Sequence, residues 1–337
     1  MVNIGQVGIG AWGQNILRSF VNLKDCSVRV CCDKSKNALE RVKAGYNGKI
    51  KITDDFNDLL KDSQLDAVIV TTLPATHAAL AVRALSSGKH VFVEKPLALK
   101  VKDAEGMIKA AKMNRKILMV GHLLLYHPAV KKLKEYIKSG ALGKVQYIYS
   151  TRVNLGQVRA EENALWSLTA HDISVAMYLL EGKPRVVQAS GKGYLRKNIQ
   201  DVVFVNLDFD NDVTAHIHAS WLDPHKIRKF TIVGSKKMAV FDDMQVSEKV
   251  RIYDKGFDWQ KHYGNYETFL TLREGDIYIP KIDMFEPLKL ECQHFIDCIV
   301  KKRQPLSDGE NGLEVLKVLD CAERSMRKNG LPLKVQK

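Results

Sequence analysis

Nowhere in the sequence do about eighteen apolar residues run together, so no membrane-spanning helix is expected. The opening MVNIGQVGIG lacks a basic segment ahead of an apolar one, and no secretory leader is expected. No C-x-x-C pair occurs. The six cysteines, Cys26, Cys31, Cys32, Cys292, Cys298 and Cys321, sit in apolar strand-like or helical contexts and are expected to be reduced core residues of a cytoplasmic protein. Internal repeats and low-complexity segments are missing too. So is a surplus of acid: Lys and Arg number 52 against 38 Asp and Glu, a net charge of +14. These cations are scattered, and their densest groups are only KKLK (131–134) and KKR (301–303). A nucleic-acid surface needs a clustered stripe, so no nucleic-acid partner is expected, while small phosphorylated ligands suit the basic surface.

What is present suits a globular protein of two domains: 337 residues, 45% apolar and 27% charged. Over residues 1 to about 120, continuous apolar strands (4–10, 27–33, 66–72, 90–95 and 116–121) alternate with amphipathic helices (14–23, 77–88 and 104–114). That pattern predicts a parallel sheet covered on both faces. Beyond a helix at about 128–138 the period drops to two. VVFVNLDF (202–209) and VTAHIHASW (213–221) flank a DND turn, and KFTIVGS (229–235) and KMAVFDD (237–243) follow at hairpin spacing. An antiparallel sheet is expected, then two closing helices at 288–302 and 311–330. The fold class is thus α/β, a dinucleotide-binding domain over 1–122, followed by an α+β domain over 123–337 whose last helix packs back on the first domain.

Three stretches carry chemistry. In VGIGAWGQNI, Gly8-x-Gly10-x-x-Gly13 follows a strand and opens a helix. Gly8 permits the tight turn, Gly10 lets a pyrophosphate approach the backbone, and Gly13 lets helix pack on strand. Asp33 ends the second strand twenty residues after Gly13, where an acid binds the adenosine ribose and repels a 2′-phosphate. NAD is therefore expected over NADP, with Lys34 opposing that preference. In TTLPATHAAL (71–80), Pro74 and His77 fall on the cofactor side of the sheet, at the carboxyl ends of its strands. In KHVFVEKPLAL (89–99), a buried strand delivers Glu94 and Lys95 to its carboxyl end, and Pro96 stops the ladder. Elsewhere, His171 and Asp172 near the start of an apolar helix fit a packing histidine and a helix-dipole acid. His216 and His218 share one strand face, but no third metal ligand is evident, so no metal is expected.

In this order the pieces resemble the glucose–fructose oxidoreductase / inositol dehydrogenase / MocA family. GIGAWG, TLPATHAALAVRALSSGKHVFVEKPLA, GHLLLYHPAVKKLKEYIKSGALGKV, the AHDI helix and DGENGLEVLKVLDCAERS carry the resemblance over nearly the whole length, and GKHV followed by EKP is the most specific. YHPAVKKLKEYI and YIYSTRVNLG look most like members acting on UDP-N-acetylamino sugars at the 3-hydroxyl. The resemblance implies that Lys95 projects between nicotinamide and substrate, where partial desolvation would push its pKa down and let it exchange a proton with a hydroxyl. Glu94 would steady the lysine or meet the cofactor, and His171 would stand by the reacting hydroxyl. Many members carry Asp or Asn four residues before that histidine and Asp three after. Here Ser167 and Ser174 stand there, which argues against a polyol substrate and leaves the base to Lys95 or His171.

The expected cofactor-binding set is Gly8, Gly10, Ala11, Trp12, Gly13, Asp33, Lys34, Thr72, Pro74, His77, Glu94, Lys95 and His122. Tyr126, Arg152, Asn154 and Trp166 join Lys95 and His171 toward the substrate, with Arg152 the expected anion contact. Three functions follow: a dehydrogenase of a nucleotide-linked amino sugar, an inositol or free-sugar dehydrogenase, or a non-catalytic NAD-binding regulator. A homodimer or homotetramer is expected, because the helices can cover only one face of the antiparallel sheet.

Overall fold

A computed structural model of the chain describes residues 1–156, 162–261 and 268–336. The chain divides into two units: Met1–Tyr126 with Phe285–Lys317, and His127–Met284 with Val318–Lys337.

The first unit holds a six-stranded parallel sheet in the order β3-β2-β1-β4-β5-β6, built from β1 Val2–Val7, β2 Cys26–Cys32, β3 Lys51–Thr53, β4 Ala67–Val70, β5 His90–Glu94 and β6 Leu118–Gly121. Helices α1 Ala11–Val21, α2 Lys36–Gly45, α3 Phe56–Lys61, α4 Pro74–Ser86 and α5 Val101–Met113 connect successive strands. Strand order reverses between β1 and β4, the switch point where doubly wound sheets bind ligands. β1 ends at Val7, short of the expected Gly10, because Gly8 has φ +92° and leaves the extended region. Ser35 and Asp55 cap α2 and α3 by accepting from Ala38 N and Asn57 N. Helix α8, Pro287–Lys301, closes the core of this unit. Phe295 packs edge-on against Phe92 of β5 and Phe20 of α1, with centroids 5.8 and 6.3 Å apart, and all three rings are fully buried.

The second unit holds a nine-stranded sheet in the order β14-β13-β12-β11-β7-β10-β9-β8-β15. Its strands are β7 Val145–Val153, β8 Val186–Lys192, β9 Val202–Asp208, β10 Thr214–Ser220, β11 Ile227–Gly234, β12 Met238–Asp242, β13 Val250–Lys261, β14 Thr268–Tyr278 and β15 Leu333–Lys334. All pairs are antiparallel except β7 with β10. Helices α6 Pro128–Lys138 and α7 Ala170–Leu180 belong to this unit, and α9 Gly309–Arg327 crosses the division of the chain at Lys317. The imidazole of His127 caps α6: Nδ1 accepts from Ala129 N at 3.0 Å, which leaves the proton on Nε2, 3.5 Å from Asp243 Oδ1.

Strand alternation gives this sheet two unlike faces. Ile148, Ser150 and Arg152 of β7 are buried, while Tyr147 and Tyr149 point the other way and are exposed. On that exposed face Tyr147 stacks on Tyr149, and Phe204 of β9 stacks on His218 at 4.6 Å and His216 at 6.3 Å. His216 Nδ1 also meets Asn206 Oδ1 at 2.7 Å, so the two imidazoles belong to a stacked polar–aromatic row. No helix among the described residues is long and apolar enough to cross a membrane, and the six cysteines are free and buried.

Candidate active site

The glycine turn sits between β1 and α1 in the form a dinucleotide needs. A Cβ on Gly8 would lie 2.7 Å from the backbone of Thr71 and Thr72, and one on Gly13 would strike the carbonyl oxygen of Gly8. A Cβ on Gly10 would meet nothing within 4 Å, so open space lies beside that residue, next to the first amides of α1 at Ala11 and Trp12. A residue with no sequence motif braces the turn from below. Gln6 is fully buried on β1, and its Nε2 donates to Gly13 O at 2.8 Å, Thr71 Oγ1 at 3.1 Å and Gly8 O at 3.2 Å. Asp33 follows β2, and its carboxylate accepts from Ile9 N at 2.5 Å and Ser35 N at 2.8 Å. A carboxylate has about four lone-pair sites, so capacity for ribose hydroxyls remains. Lys34 turns to the carbonyl of Asp54 at 2.8 Å.

The next strand ends supply the remaining groups of this unit. Thr72 bonds Thr76 through their hydroxyls at 2.7 Å, and Pro74 occupies the first position of α4. His77 is fully buried, with Nδ1 2.9 Å from Pro96 O and Nε2 3.0 Å from Thr72 O. It therefore ties the end of β4 to the residue after Lys95. Burial pushes its pKa down, against the two carbonyls that favour the charged ring.

Glu94, at the carboxyl end of β5, is buried. Its Oε1 accepts from Trp12 Nε1 at 2.8 Å and its Oε2 from Lys95 N at 3.1 Å. Gly121 of β6 makes room for it, since a Cβ there would stand 2.9 Å from Oε1. Burial raises the pKa of Glu94, while the Trp12 bond and the charge of Lys95 oppose that rise. Lys95 itself is half-buried and is followed by a cis bond to Pro96. Beside it His122, at the end of β6, is 1% exposed, and neither ring nitrogen has a hydrogen-bond partner among the described residues. Burial, then the charge of Lys95, lowers its pKa to about 4, so the ring is neutral near pH 7, with one donor and one acceptor unspent.

Two further residues of the first unit were not foreseen. Glu291 of α8 is fully buried with neither carboxyl oxygen hydrogen-bonded among the described residues. Burial, then the charge of Glu94, holds its pKa well above the usual carboxylate range. Ser307 takes the hydroxyl of Tyr126 at 2.8 Å. Tyr126 is thereby committed to the core of this unit, 1% exposed, in place of the substrate contact expected of it.

The second unit gathers its own group at the start of α7. A π-helical turn, Leu165–Thr169, leads into that helix, an irregularity frequent at functional sites. His171 opens α7 half-buried, and its carbonyl accepts from Ser174 Oγ at 2.8 Å. Asp172 is 2% exposed and is more than a helix-dipole acid. It takes Arg152 Nε at 2.6 Å, Arg152 Nη2 at 3.1 Å and Ser150 Oγ at 2.6 Å. Burial works against the charged form of Arg152, but Asp172 outweighs it and raises the pKa. The expected anion contact, Arg152, is thus already paired within its own unit. Trp166 Nε1 donates to Glu323 Oε2 at 3.1 Å, and Asn154 lies past the end of β7, half-buried, with its backbone N on Ser220 O.

A glycine turn at a switch point, an acid after the second strand, and a lysine at the end of the fifth define a dinucleotide-binding oxidoreductase. The chain belongs to the oxidoreductase family with an NAD-binding Rossmann fold of the Gfo/Idh/MocA type, whose model matches residues 2–122, and the C-terminal domain model of the same family matches residues 130–240. It is 26% identical to scyllo-inositol 2-dehydrogenase (NAD(+)) of Bacillus subtilis, over 99% of this chain and 96% of that protein. It is also 26% identical to an uncharacterized oxidoreductase of Streptococcus pneumoniae, a match covering 63% of this chain and only 60% of the relative's length. Among solved structures, UDP-N-acetylglucosamine 3-dehydrogenase from Acidithiobacillus ferrooxidans superposes with a TM-score of 0.80 at 21% identity, covering 96% of this chain and 99% of that one, a likeness of fold.

Proposed function

We propose that this chain is an NAD-dependent dehydrogenase that moves hydride between nicotinamide and C3 of a sugar carried on a nucleotide, interconverting the 3-hydroxyl and a 3-keto group, with UDP-N-acetylglucosamine or a related UDP-amino sugar as substrate. The observation that carries the reading is Lys95, half-buried at the end of β5, whose charge is felt by a buried carboxylate, Glu94, and by a neutral imidazole, His122. The dinucleotide fits the glycine turn, where space is open at Gly10 and closed at Gly8 and Gly13. When bound, NAD supplies the hydride acceptor, and Asp33 holds its ribose. Lys95 Nζ takes the proton from the substrate hydroxyl, and the resulting ammonium is balanced by Glu94. His122 offers its free donor and acceptor to the bound molecules, and His171 is the second candidate base.

A second reading, an inositol or free-sugar dehydrogenase, is supported by the similarity to scyllo-inositol 2-dehydrogenase over nearly the full length. One assay separates them. Purified protein is given NAD and a panel of UDP- and dTDP-sugars, inositols and free sugars, and reduced nicotinamide is followed at equal substrate concentration. Turnover of a nucleotide sugar that vanishes when the nucleotide is removed is the expected outcome, and faster turnover of an inositol would sink it.

The same reading includes a second copy of the chain seated on the open face of the nine-stranded sheet. Support comes from the aromatic residues Tyr147, Tyr149 and Phe204, each at least 40% exposed on that face. Light scattering at low micromolar concentration is expected to give at least twice the 38.0 kDa of one chain, and a monomer mass would refute the second copy.

A further inference from the structure

Arg228 of β11 stands directly opposite Arg152 of β7 in an antiparallel pair, so the two side chains share one face of the sheet. It is the buried face. The next pairs along it, Phe230 with Ser150 and Ile232 with Ile148, are all less than 5% exposed. Two guanidinium groups are thus placed side by side in a partly desolvated position, and only one is neutralised. Asp172 is bound by Arg152 through two nitrogens and by Ser150. The other nearby carboxylate, Asp243, faces His127 at 3.5 Å and Lys249 at 3.4 Å. The backbone carbonyl of Arg228 takes Asp243 N at 2.9 Å, but its guanidinium makes no hydrogen bond or ion pair among the described residues. Burial, then the repulsion of Arg152, lowers its pKa, and the charges of Asp243 and Asp172 offset this only in part, so its placement costs stability.

We propose that Arg228 is the substrate's anion contact, receiving an oxyanion, a phosphate or carboxylate oxygen pair, beside the His171–Asp172 start of α7. A planar guanidinium with its fork unused matches either group bidentately, whereas a neutral polyol has no charge to offer it. The proposal rests on the dehydrogenase reading, because it makes the ligand part of that enzyme's substrate. Two sources share this chemistry: the diphosphate of a nucleotide sugar, and the carboxylate of an oxidised sugar.

Calorimetric titrations of the full chain at saturating NAD, with UDP, glucuronate and myo-inositol as probes, test it in the native protein, R228Q and R228K. The native protein binds UDP or glucuronate, and which of the two binds tells the sources apart. R228Q weakens that binding about ten- to a hundredfold, the loss of one charged hydrogen-bonding partner. R228K recovers part of it, and the NAD affinity of both variants stays within about twofold of native, which shows that they fold. Without ligand, R228Q melts at or above the native temperature, since a repulsion has been removed. Equal anion affinity in R228Q and native protein overturns the proposal, as does failure of both anions to bind native protein. The dehydrogenase reading fails separately. If R228Q loses anion binding but no sugar in the panel is oxidised, the anion site stands without the reaction. If a neutral sugar is oxidised equally by native protein and R228Q, the reaction stands and Arg228 has no part in it.

Discussion

Replacing Lys95 by alanine lowers kcat at least a hundredfold and leaves the dissociation constant for NAD within a few-fold of native. The split follows from position. Lys95 follows β5 beside Glu94 and His122, whereas the glycine turn and Asp33, the proposed dinucleotide site, are built on β1 and β2. A positioned side chain that moves a proton in the transition state contributes about a hundredfold to ten-thousandfold, or roughly 3–5 kcal/mol of barrier. His171→Ala lowers kcat too, by a smaller factor if Lys95 is the principal base. Steady-state kinetics on the substrate found in the panel, with fluorescence titration of NAD, measure both quantities. Near-native turnover in both variants would move the base elsewhere, with His122 next. Loss of NAD binding in Lys95→Ala would make the lysine a support of the cofactor site.

Asp172→Ala is expected to destabilise the protein by about 3–5 kcal/mol. Arg152 is 8% exposed and Asp172 2%, and removing one member of a buried pair leaves the other charged and unsatisfied. Here the orphaned guanidinium also faces Arg228, with Ser150 left lacking its acceptor. Asp172→Asn keeps an oxygen for the arginine and loses less. Joint replacement of Arg152 and Asp172 by Met and Leu returns closer to native stability, because two matched apolar groups need no partner. Urea unfolding followed by circular dichroism gives the differences. A midpoint for Asp172→Ala that implies less than about 1 kcal/mol would mean water reaches Arg152.

The first unit was legible where its signals are local. Gly8 and Gly13 carry a backbone requirement that shows in the sequence, and continuous apolar strands such as Ala67–Val70 and Val91–Val93 announce a sheet buried on both faces. The stretch from Lys36 to Lys61 gave no such signal. α2, β3 and α3 there are short and rich in charge, and β3 is an edge strand whose residues are at most half-buried. In the second unit, period-two runs announced β9 to β12, but hairpin reasoning pairs neighbours in the chain. It misses β7, which lies between β10 and β11 and runs parallel to β10. Roles that depend on partners far away in sequence were hidden for the same reason. Gln6 under the glycine turn, Ser307 on Tyr126, and the opposition of Arg152 and Arg228 have no spacing that marks them. Asp172 was visible as an acid in the first turn of a helix, which is its ordinary use. Only the register of β7 against α7 shows it as the partner of an arginine.

The aromatic cluster of the first unit bears on how this protein is made. Phe20 and Phe92 leave the ribosome early, and the ring that covers them, Phe295, leaves it only after the whole nine-stranded sheet of the second unit except β15 has been synthesised. Through that interval the nascent Rossmann strands present an uncovered aromatic surface. The middle of the chain is made before the first part can finish. A gene cut after Tyr126 would yield a polypeptide with its strands complete and this surface permanently bare, one that aggregates or is held by chaperones.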